Sequence, residues 1–268
     1  MGRAAVSLAV FVAIAAVEGC HGSERVVNSG AIAVEPPDPA AAKRGEYLVN
    51  AAGCVGCHTD KEHGGARLAG GKPIASVFGT FASRNITPDP VAGIGGWSEA
   101  DFLRAVRTGV SPSGEYFFPT FPFTTFTSMT DRDILDIRAY LFAQPPVPQA
   151  VHQPPRDVPF PFNVPRSMAL WRALYFSEGP LAPDPAQSAE WNRGAYLVNA
   201  VGRCGECHTP RGWLGARDGS RRFNGARLAG PGNKRAPNIT PNPNDGIGKW
   251  SVDEIATLLK TGITADGD

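Results

Sequence analysis

The sequence predicts an all-α fold built as two tandem, homologous domains. Three observations carry that expectation. A set of strings recurs about 150 residues apart, a domain-sized period rather than a solenoid one. Arg44-Gly-Glu-Tyr-Leu-Val-Asn50 returns as Arg193-Gly-Ala-Tyr-Leu-Val-Asn199, and Asn85-Ile-Thr-Pro88 as Asn238-Ile-Thr-Pro241. Gly93-Ile-Gly-Gly-Trp-Ser98 returns as Gly246-Ile-Gly-Lys-Trp-Ser251, and Arg107-Thr-Gly109 as Lys260-Thr-Gly262. Helix start and stop signals bracket apolar-periodic segments in both copies. No segment shows the strict alternation of a half-buried strand.

The elements follow in order. Residues 1–20 read as an export signal, with Gly2-Arg3 as a basic start and Ala4 to Val17 as an apolar run too short to span a bilayer. Gly19-Cys20 after that run fits a lipoprotein cleavage site, although Val17-Glu18 matches poorly upstream, so acylation of Cys20 stays open. The first domain is expected over 38–147. Asp38 caps a helix that has Pro39 in its first turn and Tyr47, Leu48 and Ala51 as its apolar stripe. A second helix starts at Ser98 and stops at Gly109, and a third runs from Thr130 to Phe142 before Pro145-Pro146. Residues 148–187 form a stiff, Pro-rich linker, continuing the proline run from Pro145 to Pro165, with one short helix from Met168 to Phe176. The second domain, 188–268, repeats the stripe as Tyr196, Leu197 and Ala200. Its capping box is formed by Ser251 and Glu254. The counterpart of Thr130–Phe142 would fall beyond Asp268, so this domain reads as truncated, with Tyr196 and Leu197 left uncovered.

With 31 Gly and 25 Pro, much of each copy is loop wrapped around something other than its own side chains. The motifs say what. Cys54-Val-Gly-Cys57-His58 and Cys204-Gly-Glu-Cys207-His208 are both C-x-x-C-H, the attachment pattern of a c-type haem. The two thiols bond to the porphyrin vinyl groups, and the next residue's imidazole binds iron from the proximal side. A lone C-x-x-C also fits a redox dithiol or half a zinc site. The trailing histidine and its repetition favour two covalently bound haems. Of 5 Cys, the motifs consume four, which leaves Cys20 alone and none for a structural disulfide.

Gly45-x-Tyr47, the C-x-x-C-H after it and Tyr140 on the last helix resemble a class I cytochrome c domain. The longer strings Gly-x-Tyr-Leu-Val-Asn-Ala, Asn-Ile-Thr-Pro and Gly-Ile-Gly-x-Trp-Ser resemble the multihaem cytochrome c subunits of membrane-bound bacterial alcohol, gluconate and aldehyde dehydrogenases. The resemblance covers about residues 40 to 268. It implies that the first and last helices cross near a small residue and an aromatic. It also implies a methionine opposite the proximal histidine. Of 3 Met, Met1 is the initiator and Met168 sits beside Leu170 and Trp171 in a packing context, so Met129 is the expected distal ligand of the first haem. Some relatives carry a Pro-x-Met-Pro segment where this chain has Pro119-Thr-Phe121-Pro122, and phenylalanine cannot ligate. His63 and His152 are the competing donors. The second copy offers none.

A net charge of +1 gives no reason to expect nucleic acid. No Walker, Rossmann or nucleophile-elbow motif is present. The expectation is therefore an exported electron carrier, periplasmic or anchored through a lipid on Cys20. It would take electrons from a dehydrogenase catalytic subunit and pass them to an oxidase, quinone or cytochrome. The rival is a haem enzyme, such as a dihaem peroxidase or a thiosulfate-oxidising cytochrome, which needs an open distal side.

Overall fold

The computed structural model describes residues 38–148, 157–164, 166–230, 232–264 and 267. The export segment 1–20, Cys20 and His152 lie outside them. The first copy starts with α1 (Pro39–Ala51), where the Asp38 carboxylate accepts the N–H groups of Ala40 and Ala41 and so satisfies two orphan donors. A short helical turn, α2 (Cys54–His58), follows directly. Then come an antiparallel pair, β1 (Pro73–Ser76) and β2 (Gly79–Ala82), then α3 (Glu99–Thr108), α4 (Phe123–Phe126) and α5 (Asp131–Phe142). After the connecting helix α6 (Ser167–Tyr175), the second copy repeats the order. It has α7 (Ala189–Tyr196) running into a π turn at Leu197–Val201, then α8 (Cys204–His208), β3 (Ala226–Arg227) with β4 (Arg235–Ala236), and α9 (Val252–Thr261).

The fold is mostly helical. The two short hairpins correct the expectation of no sheet: with Pro73 at one end and Gly79 at the turn, four residues are too few to show alternation. α3 and α9 both carry a full capping box, so Asp101 in the first copy does the work of Glu254 in the second.

The main core gathers Leu48, Val49 and Ala52 from α1, Phe102 from α3, and Ile134, Ile137, Tyr140 and Leu141 from α5, together with Leu68, Phe126 and Met129. α1 and α5 cross at Gly45. A Cβ there would lie 1.8 Å from the Asp136 carbonyl oxygen and 2.9 Å from the Tyr140 Cβ, so only glycine lets the backbones meet. Arg44 beside it holds the buried Asp136 carboxylate in a two-pronged pair at 2.7 and 2.8 Å. The buried stripe of α1 is thus Gly45, Leu48, Val49 and Ala52, spaced i, i+3, i+4, i+7. Tyr47 and Ala51, expected inside, are exposed because the stripe is rotated by one position.

The two copies are not separate bodies: Pro36–Asp268 is one compact unit. Ala200 and Val201 of the π turn are fully buried in the first copy's core, with Tyr196 and Leu197 packed at its edge. The expected exposure of Tyr196 and Leu197 is therefore corrected, because the first copy covers them. The connecting segment is no free spacer either. Asp157 bridges to Thr80 on β2, and Phe162, Met168 and Trp171 join Phe78 and Phe123 in a second, aromatic cluster. The Trp171 indole N–H donates to the Leu214 carbonyl at 2.8 Å and ties α6 to the second copy.

Candidate haem sites

Each motif lies on one helical turn, which sets its two cysteines at i and i+3 and so on one side, with the histidine just beyond. Four cysteines are free thiols in the described residues: Cys54, Cys57, Cys204 and Cys207. Burial pushes the Cys54 thiol up to about 11, against the opposing charge of Arg203, and burial raises Cys204 as well. Reactive redox dithiols show the opposite shift.

The imidazoles are held by their far nitrogen. His58 Nδ1 lies 2.7 Å from the Arg84 carbonyl oxygen and His208 Nδ1 lies 2.8 Å from that of Pro237. A carbonyl can only accept, so Nδ1 carries a proton in each ring, and Nε2 is the nitrogen left to bind a metal. Burial also lowers the His58 pKa and favours the neutral ring.

These carbonyls explain a repeated string whose purpose the sequence did not disclose. Arg84 and Pro237 stand immediately before the Asn-Ile-Thr-Pro segments. Asn85 Oδ1 accepts the Thr87 N–H at 2.9 Å, and Asn238 Oδ1 accepts that of Thr240 at 2.8 Å, so each segment is pinned as a turn. Gly93 and Gly246 then press against it: a Cβ on either would lie 2.2 Å from the Thr87 or Thr240 carbonyl. The loop between histidine and turn matches too. Thr59 Oγ1 accepts the Leu68 N–H and Thr209 Oγ1 that of Phe223, at 3.0 and 3.2 Å. Leu68 and Phe223 both adopt positive φ, 62° and 65°. The Gly70 and Gly225 N–H groups reach the His58 and His208 carbonyls, each at 2.8 Å.

Met129 is completely buried, in the cluster that Cys54 borders and that holds Leu68. Arg107, itself buried, donates to the Met129 carbonyl at 2.8 Å and to that of Thr127 at 2.6 Å, and pairs with Asp131. His63 points elsewhere: it is largely exposed and pairs with Asp60 at 2.8 Å. Met168 packs in the aromatic cluster.

Sequence reasoning missed a seam between the copies that runs along the second motif. Glu206, inside that motif, is buried and pairs with Arg211 and Arg217, while the Thr125 hydroxyl on α4 donates to it. Burial disfavours its charge, but Arg217, Arg211 and the Thr125 hydroxyl outweigh that and hold its pKa below the usual carboxylate value. Tyr196 accepts the Thr130 N–H at 3.0 Å and donates to Asp133 at 2.6 Å. No residue pattern marks the Thr125–Glu206 and Tyr196 contacts in advance, because their partners lie in different copies.

Two thiols and one imidazole oriented through its Nδ1 per motif make an incomplete zinc set. Among the described residues no group of three or more His, Cys, Asp or Glu is arranged to hold a bare ion. The same donors, beside a buried apolar cluster, suit a covalently attached haem with a proximal histidine. They define a c-type haem protein. No family model matches the chain. Over 238 residues it is 42% identical to a diheme c-type cytochrome of Cereibacter sphaeroides, an alignment that spans 85% of this chain and 75% of that one. Over 227 residues it is 42% identical to a nicotinate dehydrogenase subunit from Pseudomonas putida, spanning 83% of this chain and 18% of the relative. Over 235 residues it is 40% identical to the fructose dehydrogenase cytochrome subunit of Gluconobacter japonicus, spanning 85% of this chain and 47% of that relative. The chain belongs to the c-type cytochromes and, as a member, carries covalently bound haem.

Proposed function

We propose that the protein is a dihaem electron carrier. It has one cytochrome domain over 38–147 and a second, less complete in the residues present, over 188–268, with 148–187 between them. The first haem is carried on Cys54 and Cys57 with His58 and Met129 as iron ligands, the second on Cys204 and Cys207 with His208. The observation that supports this most directly is the matched set of hydrogen bonds around His58 and His208, since a motif without its orienting carbonyl would not imply a working site.

Each haem, once attached, takes up and releases a single electron. The chain's own residues prepare that step. The Arg84 and Pro237 carbonyls fix the ring planes and tautomers, and raise the basicity of Nε2. Met129, dry and clamped through its backbone by Arg107, is placed to offer a thioether, which favours ferrous iron and raises the potential. The apolar shell of Leu68, Phe126 and Met129 excludes water and limits the reorganisation that accompanies each change of charge.

The named relatives include cytochrome subunits of dehydrogenases, which supports a dehydrogenase catalytic subunit as the electron donor. An oxidase, quinone or further cytochrome would accept. The chain would then be an electron-transfer component and not the catalytic subunit. Covalent haem attachment outside the cytoplasmic membrane fits the export reading of 1–20 and a periplasmic location, with Cys20 as the place for a lipid. Among the described residues no helix is long and apolar enough to cross a membrane. The test is a pyridine haemochrome assay on the purified chain after extraction with acidified acetone. Two c-type haems per chain should survive, and loss of all haem to the solvent would end this reading.

A further inference from the structure

The residue just before each motif differs between the copies, although its backbone does not. Gly53 (φ 67°) precedes Cys54, and Arg203 (φ 55°) precedes Cys204. The left-handed conformation suits glycine and is uncommon for a residue with a Cβ, so placing arginine there carries strain. The arginine does not point away into solvent. Its Nη2 occupies the space beside Gly53, 2.7 Å from where a Cβ on that glycine would stand, and its guanidinium carbon lies 6.0 Å from the centre of the Phe126 ring. Its Nε is buried and donates to no acceptor. A strained backbone and an unpaired buried donor are both unfavourable, and neither helps the second copy fold. The guanidinium instead reaches across to the first copy, beside the residue that precedes Cys54 and near the Phe126 ring.

We propose that Arg203 sets the reduction potential of the first haem from the residue that precedes the second motif. This rests on the reading that a haem is attached at Cys54 and Cys57. Reduction adds one electron to ferric haem, forms and breaks no bond, and lowers the charge of the site by one. A guanidinium held beside Gly53, poorly screened because it is partly buried, would stabilise the reduced product over the oxidised form. Arginine stays protonated at any working pH, so the bias is constant. Gly53 is part of the device, since any larger residue would occupy the place the guanidinium takes. The first haem's potential is thereby raised by a residue that arrives only when the second copy docks. The potential of one haem thus depends on the seam between the two.

The experiment is a spectroelectrochemical titration of the full haem-loaded chain and of Arg203→Gln, Arg203→Lys and Arg203→His. The first haem is assigned from a Cys204→Ser/Cys207→Ser form that holds it alone. Arg203→Gln should lower the first haem's reduced-to-oxidised ratio at a fixed potential about tenfold, which for one electron is ~59 mV. Arg203→Lys should restore most of it. In Arg203→His the first haem's potential should fall more steeply than in the unaltered chain as pH rises from about 5 to about 8 and the imidazole loses its charge. That slope also serves if the glutamine form takes up haem poorly. Two covalent haems with an unmoved first potential in Arg203→Gln and no added slope in Arg203→His overturn this inference alone. So does a lysine form as low as the glutamine form. Absence of covalent haem at Cys54 and Cys57 overturns the functional reading, and this one with it.

Discussion

The two copies share their proximal loops and differ in their helices. Around His58 and His208 the histidine carbonyl bond, the Thr59/Thr209 bond, the Gly93/Gly246 contact and the positive φ of Leu68/Phe223 and Gly70/Gly225 recur. The helices do not. In the first copy, α3 buries Phe102 and Ala105, and α1 meets α5 at Gly45. In the second copy, α9 buries none of its residues: Val252 is 82% and Leu259 79% exposed. α7 leans on the first copy instead of on a helix of its own. The difference separates two kinds of cause. The histidine loop is fixed by local hydrogen bonds and close backbone contact, so it forms wherever its string occurs. Burial of the helices needs a third helix such as α5, and among the described residues only the first copy has one.

The largest test of that separation removes the covalent attachment in one copy at a time. Cys54→Ala/Cys57→Ala should halve the haem content and lower the melting temperature sharply, because the core of α1, α3 and α5 closes around that site. Cys204→Ala/Cys207→Ala should halve the haem as well and cost less stability, since few second-copy helix residues are buried. Pyridine haemochrome and thermal melts read both. Equal losses of stability would show that the copies depend on haem alike.

A sharper form compares the two equivalent glycines. Gly45→Ala drives a methyl into the Asp136 carbonyl and should destabilise by about 3 kcal/mol or more, in the range of overpacked cores. Gly194→Ala meets nothing within 4 Å and should be neutral or stabilise by up to ~1 kcal/mol, the helix-propensity gain of alanine over glycine. Denaturant unfolding of the holoprotein measures both. Similar values would mean that α7 has a close helix partner after all.

Met129→Ala comes next, and it separates the haems through their axial chemistry. The first haem should lose its sulfur-to-iron charge-transfer band and its potential should fall, while the second is unmoved. A band that survives the substitution would give the ligand role to another residue. His63 is then the weaker substitute, since its ring is turned toward Asp60.

Much of this was legible in the residues. The duplication, the caps at Asp38, Ser98, Thr130 and Ser251, and the helix 167–175 all follow from local chemistry that a sequence displays directly. The stripe on α1 was misread by one position because Tyr47 is apolar enough to look internal, and only the crossing with α5 shows which face is inside. The repeated Asn-Ile-Thr-Pro string was visible as a repeat, but its purpose was not. It pins the turn whose preceding carbonyl, of Arg84 or Pro237, accepts from histidine, and only the folded loop brings those residues together. The seam made by Arg203, Glu206, Thr125 and Tyr196 was out of reach, because a contact between copies leaves no periodic mark in either of them.

The smallest effect tests that seam through Tyr196. Its hydroxyl accepts the Thr130 N–H and donates to Asp133, next to the loop that carries Met129. Tyr196→Phe removes both bonds and should cost about 1–3 kcal/mol, at ~0.5–1.5 kcal/mol net for each, with haem content unchanged. The same contact carries its own pH dependence. Burial, aided by the Asp133 carboxylate, pushes the Tyr196 pKa up to about 12 from an ordinary 10.0. The folded state therefore holds the phenolic proton more tightly than the unfolded chain does. The stabilisation is complete below pH 10, declines above it, and is gone once pH passes the folded value. Urea midpoints measured from pH 9 upward should fall more steeply for the unaltered protein than for Tyr196→Phe, so that the two curves converge. Parallel curves would show that the Tyr196 hydroxyl faces solvent and contributes nothing to the seam.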